Sequence, residues 1–450
     1  MSENLCKPIE EILKEDISCS CKRQHKTNLK RLVIKRKAIE ELPKLLEEYI
    51  EQKLLLVVDK NTKLAAGDRV LAILGEYGYN CHMYIFEEEI IPDKANIGKM
   101  MLEVRDIDVL VALGAGSLHD LLKYVGYVAE KPLISIPTAA SNDRYAMPYS
   151  FFFENGKKNI EKAVVPEVII VDLDIVAAAP KYMASAGAAA VVAKHIALFD
   201  WKLSKIIDET IYCEDLADAM LYHIYNFTDS LSGSRPLYSI DTLELLMKAL
   251  VFSGIMVSFC DSTYPVFGSE TLMSDCILMT ESYTTNILTE QYIKAVTTAN
   301  CTRIAEGIIE TDSLDIVGAK PLLEDYGWVM HNNEINRVFK EDAPKVLSQS
   351  GGFTRYNNET HARRLIRIKD RWKDIVDAAS LMIPEYTTLQ EILRSCVLPY
   401  RFEDLGMTRD GALDAILWSS ELSNRYSLLS LIWEIGEIDS VAYALTSKMK

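Results

Sequence analysis

Gly114–Asp120 reads GAGSLHD and Pro137–Asp143 reads PTAASND, and each closes an apolar run. Gly114 and Gly116 let a backbone turn tightly at a strand end and let a ligand approach it closely. Ser117 and Asp120 have the Ser-x-x-Asp spacing of a helix-capping pair, and the N–H groups of a helix start suit a phosphate. An ordinary capped turn uses the same residues, and His119 stands where the third glycine of a dinucleotide fingerprint would be. The second loop offers Thr138, Ser141, Asn142 and Asp143. Hydroxyls and an amide match phosphate and ribose oxygens, while a carboxylate matches a hydroxyl or an ammonium group. Asp59 closes another apolar run, either as a ribose-binding acid or as a turn residue in DKNT. The first expectation is a phosphorylated-ligand site built from adjacent strand ends.

A separate cluster, CSCKRQH, brings Cys19, Cys21 and His25 together. Three soft donors can begin a zinc site, but no fourth ligand is evident in the sequence and the spacing is not a finger's. The expectation is a segment of reduced thiols. The nine cysteines are scattered and odd in number, which fits a reducing, cytoplasmic compartment.

These groups need strand ends to carry them. LLLVVD (54–59), CHMYIF (81–86), DVLVAL (108–113), PLISIP (132–137) and VIIVD (168–172) are strand candidates, with helical patterns such as AAGDRVLAILGEYGY between them. Apolar strands alternating with helices define a parallel sheet covered on both faces, and such sheets bind ligands at their carboxyl ends. After about Pro180 the strand signals fade, and EDLADAMLYHIYNF, IDTLELLMKALVFSGIMVSF and QYIKAVTTANCTRIAEGII read as amphipathic helices. The basic face of HARRLIRIKDRWKDIV is expected to be solvated. The predicted fold class is α/β plus all-α: a Rossmann-like parallel-sheet nucleotide-binding domain over residues 1–179 and a helical domain over 180–450.

At 450 residues, 49% hydrophobic and 25% charged, the chain can bury a sizeable core. A net charge of −16 argues against nucleic acid or anionic membrane as the main partner. A small anionic metabolite is compatible, because a few local donors outweigh a distant negative surface. The N-terminus lacks the basic start and apolar core of a secretory signal, and no uninterrupted apolar run reaches the length of a membrane span. A cytoplasmic protein is expected, with a homo-oligomer compatible with the chain.

Taken together, VVDKNT, GAGSLHDLLK, SIPTAASND, PEVIIVDLDIVAAAPKYMASAG, ALFDWKLS, FGSETLMSD and LGMTRDGALDAILWSSELSNRYSLLSLI resemble the glycerol-1-phosphate dehydrogenases nearly end to end. These belong to the iron-containing alcohol dehydrogenase and dehydroquinate-synthase-like superfamily. The resemblance implies a dehydroquinate synthase-like fold with an N-terminal NAD- or NADP-binding domain. It implies hydride transfer between that cofactor and a small phosphorylated substrate, dihydroxyacetone phosphate, giving sn-glycerol 1-phosphate in phospholipid metabolism. A divalent metal, usually zinc, acts on the substrate oxygens. Cofactor contacts would fall on Asp59, Gly114, Ala115, Gly116, Ser117, Asp120, Thr138 and Ser141, and a substrate contact on Asp143.

The resemblance also locates what is missing. The family's metal sits on one Asp and two His. The Asp of an Ala-Gly-x-Gly-Asp pattern falls on Ala190 in AGAAAVVAK, the His closing Gly-Ser-Glu-His falls on Thr271, and the His opening His-Gly-Glu-Gln-Val falls on Leu288. Alanine and leucine carry no donor atom, and a neutral threonine hydroxyl is a poor zinc ligand. No metal is expected at these positions, and no catalytic residue is assigned. Glu270, Asp275, His195 and His223 are nearby in sequence as substitute donors, although helical geometry turns His195 away from the direction of Ala190. Arg144 follows Asp143 where the family has glycine, and either clashes with the family's ligand pose or grips a phosphate. A metal lowers the barrier by several kcal/mol, and losing about 4 kcal/mol slows the step roughly a thousandfold. The leading reading is a glycerol-1-phosphate dehydrogenase-like oxidoreductase whose turnover these substitutions put in question. The alternative is a non-catalytic nucleotide-binding or scaffolding protein derived from it. A lyase or cyclase on a phosphorylated sugar is disfavoured, because the superfamily's cyclases rely on the same metal.

Overall fold

The computed structural model describes residues 7–13, 19–88, 90–154, 157–232, 236–281, 287–314, 328–350 and 358–449. Every side chain of Leu54–Val58 is apolar and buried, so this strand is covered on both faces. Alternate residues serve different cores, as the two-residue strand repeat requires. Leu54, Leu56 and Val58 pack with Ile39, Leu42, Val70 and Leu74. Leu55 and Val57 pack with Leu118, Leu121 and Val125.

The chain forms β1 (Arg31–Lys35), β2 (Lys53–Asp59), β3 (Asn80–Phe86), β4 (Val109–Gly114), β5 (Leu133–Pro137), β6 (Tyr149–Glu154), β7 (Lys157–Lys162) and β8 (Val168–Asp172). Six of these make one parallel sheet in the order β1-β8-β5-β4-β2-β3, and β6 and β7 form a separate antiparallel hairpin. From β2 the chain moves outward to β3, then crosses back to place β4 on the other side of β2. The direction of winding therefore reverses between β2 and β4, and their carboxyl ends define the crevice where such sheets take ligands. The five strands expected from apolar runs are present. The edge strand β1, RLVIK, and the hairpin go beyond the sequence reading.

Helices α1 (Asp68–Glu76), α2 (Lys94–Glu103) and α3 (Gly116–Ala129) link successive strands, and α4 (Leu173–Ala178) and α5 (Lys181–Val192) follow β8. Beyond α5 the secondary structure of the described residues is helical, beginning with α6 (Lys194–Asp208), α7 (Glu214–Ser232), α8 (Ile240–Cys260), α9 (Ser269–Thr280) and α10 (Ile287–Ile309). By packing, the chain divides into two units that interleave along the sequence: Met1–Val191 with Cys213–Thr263, and Val192–Tyr212 with Tyr264–Lys450. Helices α7 and α8 thus belong with the sheet, whereas the sequence reading placed one boundary at residue 180.

Two helical stretches, Lys181–Asp208 and Ile240–Cys260, are long and apolar enough by composition to cross a membrane. Their most apolar windows are 89% and 72% buried inside the protein, so their hydrophobicity serves packing. In the second unit, HARRLIRIKDRWKDIV breaks into α11 (Asn358–Asp370) and α12 (Trp372–Met382). Arg363, Lys369, Arg371 and Lys373 of its basic face are exposed, as expected, while Arg364 and Arg367 are half-buried in ion pairs. Arg364 pairs with Asp208 at 2.9 Å and Glu434 at 3.2 Å, and Arg367 pairs with Glu209 at 2.5 Å.

Candidate functional site

The carboxyl ends of β4 and β5 lie side by side: Gly114 pairs with Pro137 across the ladder, and Thr138 N–H donates to Gly114 O at 2.9 Å. Helix α3 begins at Gly116, with Ala115 as an extended N-cap and no side chain bonded to the cap. The expected Ser117–Asp120 capping pair does not form. Ser117 is already the second residue of the helix, and Asp120 is buried against other partners. The start of α3 therefore offers N–H groups that no capping side chain takes, beside the partly exposed Ala115 and Ser117. At the end of β2, Asp59 accepts from Thr62 N–H at 2.8 Å while Thr62 Oγ1 accepts from Asp59 N–H at 2.9 Å. That reciprocal cap is the turn role weighed for DKNT.

The PTAASND loop is buried, including Thr138, Ser141, Asn142, Asp143 and Arg144. Asn142 Nδ2 donates to Ser141 Oγ at 3.0 Å, Asn142 Oδ1 accepts from Arg144 N–H at 2.9 Å, and Tyr145 Oη donates to Ala139 O at 2.6 Å. Ser253 Oγ, from α8, donates to Asp143 Oδ2 at 3.1 Å. The next turns are held by α3. Lys123 Nζ donates to the carbonyls of Arg144 (2.9 Å), Met147 (3.3 Å) and Tyr149 (2.5 Å). The Arg144 guanidinium lies 2.9 Å from Asp120 Oδ2 and 4.8 Å from the Phe151 ring centre. Arg144 is thus engaged by Asp120, an arrangement outside both sequence-based alternatives. Burial pushes the Asp120 carboxyl up against the pull of Arg144 and Lys123, and burial pushes Lys123 down to about 8. His119 is fully buried; its Nδ1–H donates to Ala115 O at 2.9 Å, and its ring meets Tyr145 edge-on at 5.0 Å. Burial lowers it to about 4, and its Nε2 has no hydrogen-bond partner among the described residues. The start of α3, with Ala115 and Ser117 partly exposed, offers the N–H donors that a phosphate requires.

The residues that the resemblance assigns to the family's metal positions, Ala190, Thr271 and Leu288, have side chains that do not suit a divalent ion. Ala190 is a fully buried methyl on α5. One turn earlier, α5 closes so tightly on the PTAASND loop that a Cβ at Gly187 would sit 2.1 Å from Ala140 O. Thr271 Oγ1 donates to Glu270 Oε1 at 2.8 Å. The side chain of Leu288 lies outside the described residues. The substitute donors serve other purposes. Glu270 is fully buried, accepts from Gly268 N–H at 3.2 Å, and is pushed up by burial against the pull of Lys294, Thr271 and Lys194. His195 Nδ1–H donates to Met382 O at 2.6 Å, His223 packs on Phe252 at 4.6 Å, and burial lowers each to about 4. Among the described residues, no group of three or more His, Cys, Asp or Glu donors gathers around Glu270, Asp275, His195 or His223.

Sequence reasoning missed two features. Asp200, within ALFDWKLS, accepts from Ser269 N–H (2.5 Å), Ser269 Oγ (2.7 Å) and Leu428 N–H (2.7 Å). Burial and the nearby Glu270 raise it to about 7. Cys213 joins Cys19, Cys21 and His25, their donor atoms all within 4.8 Å of one another, which corrects the expectation that no fourth ligand exists.

A parallel sheet with its crevice at a winding reversal, in a chain completed by helices, is a fold shared with solved iron-containing alcohol dehydrogenases. Residues 33–180 match the family model described as iron-containing alcohol dehydrogenase. The iron-containing alcohol dehydrogenase of Corynebacterium glutamicum shares the fold at TM-score 0.58 and 15% identity, over 93% of this chain and 97% of that one. A glycerol-1-phosphate dehydrogenase [NAD(P)+] of Methanococcus vannielii is 31% identical over 54% of this chain and 67% of its own length. That of Bacillus velezensis is 24% identical over 90% of this chain and 91% of its own. That of Halalkalibacterium halodurans is 27% identical over 56% of this chain, a match that spans 64% of the relative. The chain belongs to the glycerol-1-phosphate dehydrogenase family.

Proposed function

We propose that this chain binds NAD or NADP at the carboxyl ends of β2, β4 and β5. We further propose that it reduces dihydroxyacetone phosphate to sn-glycerol 1-phosphate at least about 1000-fold more slowly than metal-bearing relatives. The observation that carries the reading is the start of α3 at the winding reversal, with no side chain capping it. When bound, the cofactor supplies or accepts the hydride. Gly114, Ala115, Gly116 and Ser117 would hold its phosphates through N–H groups and the helix field. Asp59 and Thr138 would face ribose hydroxyls, whereas the Ser141 hydroxyl is taken up inside its loop. Asp143, steadied by Ser253, would accept from a substrate hydroxyl.

A second reading, a nucleotide-binding protein without turnover, is favoured by Thr271, whose hydroxyl is committed to Glu270. The two readings part on kinetics. Calorimetry with NAD(H) and NADP(H), beside turnover assays with dihydroxyacetone phosphate, tests both. Absence of heat at millimolar dinucleotide overturns the shared claim. Slow but measurable reduction supports the enzyme, none supports the alternative, and ordinary dehydrogenase turnover refutes the consequence drawn from positions 190, 271 and 288.

A further inference from the structure

We propose that Cys19, Cys21, His25 and Cys213 form a structural zinc site that clips the N-terminal segment to the start of α7. Cys19 Sγ lies 3.2 Å from Cys21 Sγ and 3.0 Å from Cys213 Sγ. His25 Nε2 lies 3.2 Å from Cys21 Sγ and 3.6 Å from Cys213 Sγ. These sulfurs are too far apart for a disulfide, whose bond is about 2.0 Å. A tetrahedral zinc with bonds of about 2.3 Å sets its sulfurs about 3.8 Å apart, so the donors need spread by less than about 1 Å to admit the ion. Small side-chain rotations supply that movement.

The surroundings orient the donors as ligands. His25 Nδ1–H donates to Phe259 O at 3.1 Å, which leaves the Nε2 lone pair facing the thiols. Cys213 stands immediately before α7, and its carbonyl accepts from Ala217 N–H at 3.1 Å. Ser20 N–H donates to Asp215 Oδ2 at 2.8 Å, holding the Cys-x-Cys turn against the same helix start. Cys213 and His25 are buried, and Cys19 and Cys21 are half-buried. Three thiols and an imidazole select zinc over hard cations, and four protein ligands leave no open position for catalysis. The site shares no residue with positions 190, 271 and 288, so it is separate from the family's metal. Its ligands come from segments 188 to 194 residues apart, so binding closes a very long loop.

The test is elemental analysis of the full chain, purified without chelator or histidine tag. About one zinc per chain is expected, released by a mercurial thiol reagent. Cys213→Ser and His25→Ala should each lower zinc content at least about tenfold, while Cys260→Ser, a thiol outside the four, should retain it. Should the ligand variants fail to fold, cobalt added to chelator-stripped wild type gives a second readout. Intense visible bands with thiolate charge transfer support a tetrahedral sulfur-rich site. The proposal is overturned by wild type lacking both zinc and those bands, by zinc retained in Cys213→Ser, by iron as the resident metal, or by a disulfide within the trio of cysteines.

Discussion

Replacing Arg144 by methionine tests whether its guanidinium serves the fold or a ligand. Asp120 is 1% exposed and Arg144 only 10%, so their contact at 2.9 Å is a buried ion pair. Removing one partner of such a pair costs about 3–5 kcal/mol, because the other charge is left without compensation. Lys123 remains 3.4 Å from Asp120 Oδ1 and absorbs part of the loss, so Arg144→Met should cost about 2–3 kcal/mol. Asp120→Asn should cost a similar amount, since it strands two cations. The double variant removes the charges on both sides, and the cycle should show a coupling of about 2 kcal/mol. Burial already raises the Asp120 carboxyl, and loss of Arg144 raises it further. A raised acid disfavours the folded state at high pH and is relieved as pH falls, so the Arg144→Met penalty should be smaller at the lower of two pH values than at the higher. The assay is urea unfolding of the four proteins at both pH values, with NADH titrated into each. Arg144→Met should keep dinucleotide affinity within about twofold. Additive costs within about 0.5 kcal/mol, or a tenfold loss of affinity, would refute the assignment of Arg144 to Asp120.

Gly116→Val should abolish dinucleotide binding while leaving far-ultraviolet circular dichroism unchanged, because it places a branched side chain in the first turn of α3 where the ligand must approach; retained binding would relocate the site. The triple variant Ala190→Asp, Thr271→His, Leu288→His should take up a metal equivalent beyond that of wild type, measured by elemental analysis, and failure to do so would undo the correspondence of these positions with the family's ligands. Asp200, raised to about 7 from an ordinary 3.8, makes the folded chain bind a proton that the unfolded chain has released, so stability falls as pH rises through this window. Between about pH 6 and pH 8 the loss should be about 1 kcal/mol, and Asp200→Asn should flatten the curve by that amount; parallel curves would show that Asp200 does not titrate there.

The strands of the sheet were legible because burial on both faces leaves nearly unbroken apolar runs, as in Leu54–Val58. The strand β1 escaped because an edge strand alternates, its RLVIK mixing buried Leu32 and Ile34 with a half-buried arginine and an exposed lysine. The capping spacing at Ser117 misled by a single position: the helix starts at Gly116, and Asp120 is drawn to Arg144 by a loop that no local pattern reveals. Cys213 was invisible as a ligand for the same reason. Its partners are remote in sequence, and only the packing of α7 against the N-terminal segment unites them. Within the candidate cradle, the glycine turn and its polar neighbour loop were readable, but not that the loop would be buried and its Ser141 hydroxyl occupied.

The pairing of β1 with β8 alone has a consequence for biosynthesis. Arg31 aligns with Val168, so among the described strands β1 gains its ladder partner only when β8, the last strand of the sheet, has emerged. At translation rates of about 5–20 residues per second, that interval is roughly seven to thirty seconds. Cys19 waits longer still, because Cys213 follows it by 194 residues. The segment that carries β1 and Cys19 is therefore secured late. During that interval the nascent chain carries an unsatisfied strand edge beside free thiols, which makes chaperone occupancy of this segment a measurable step in its production.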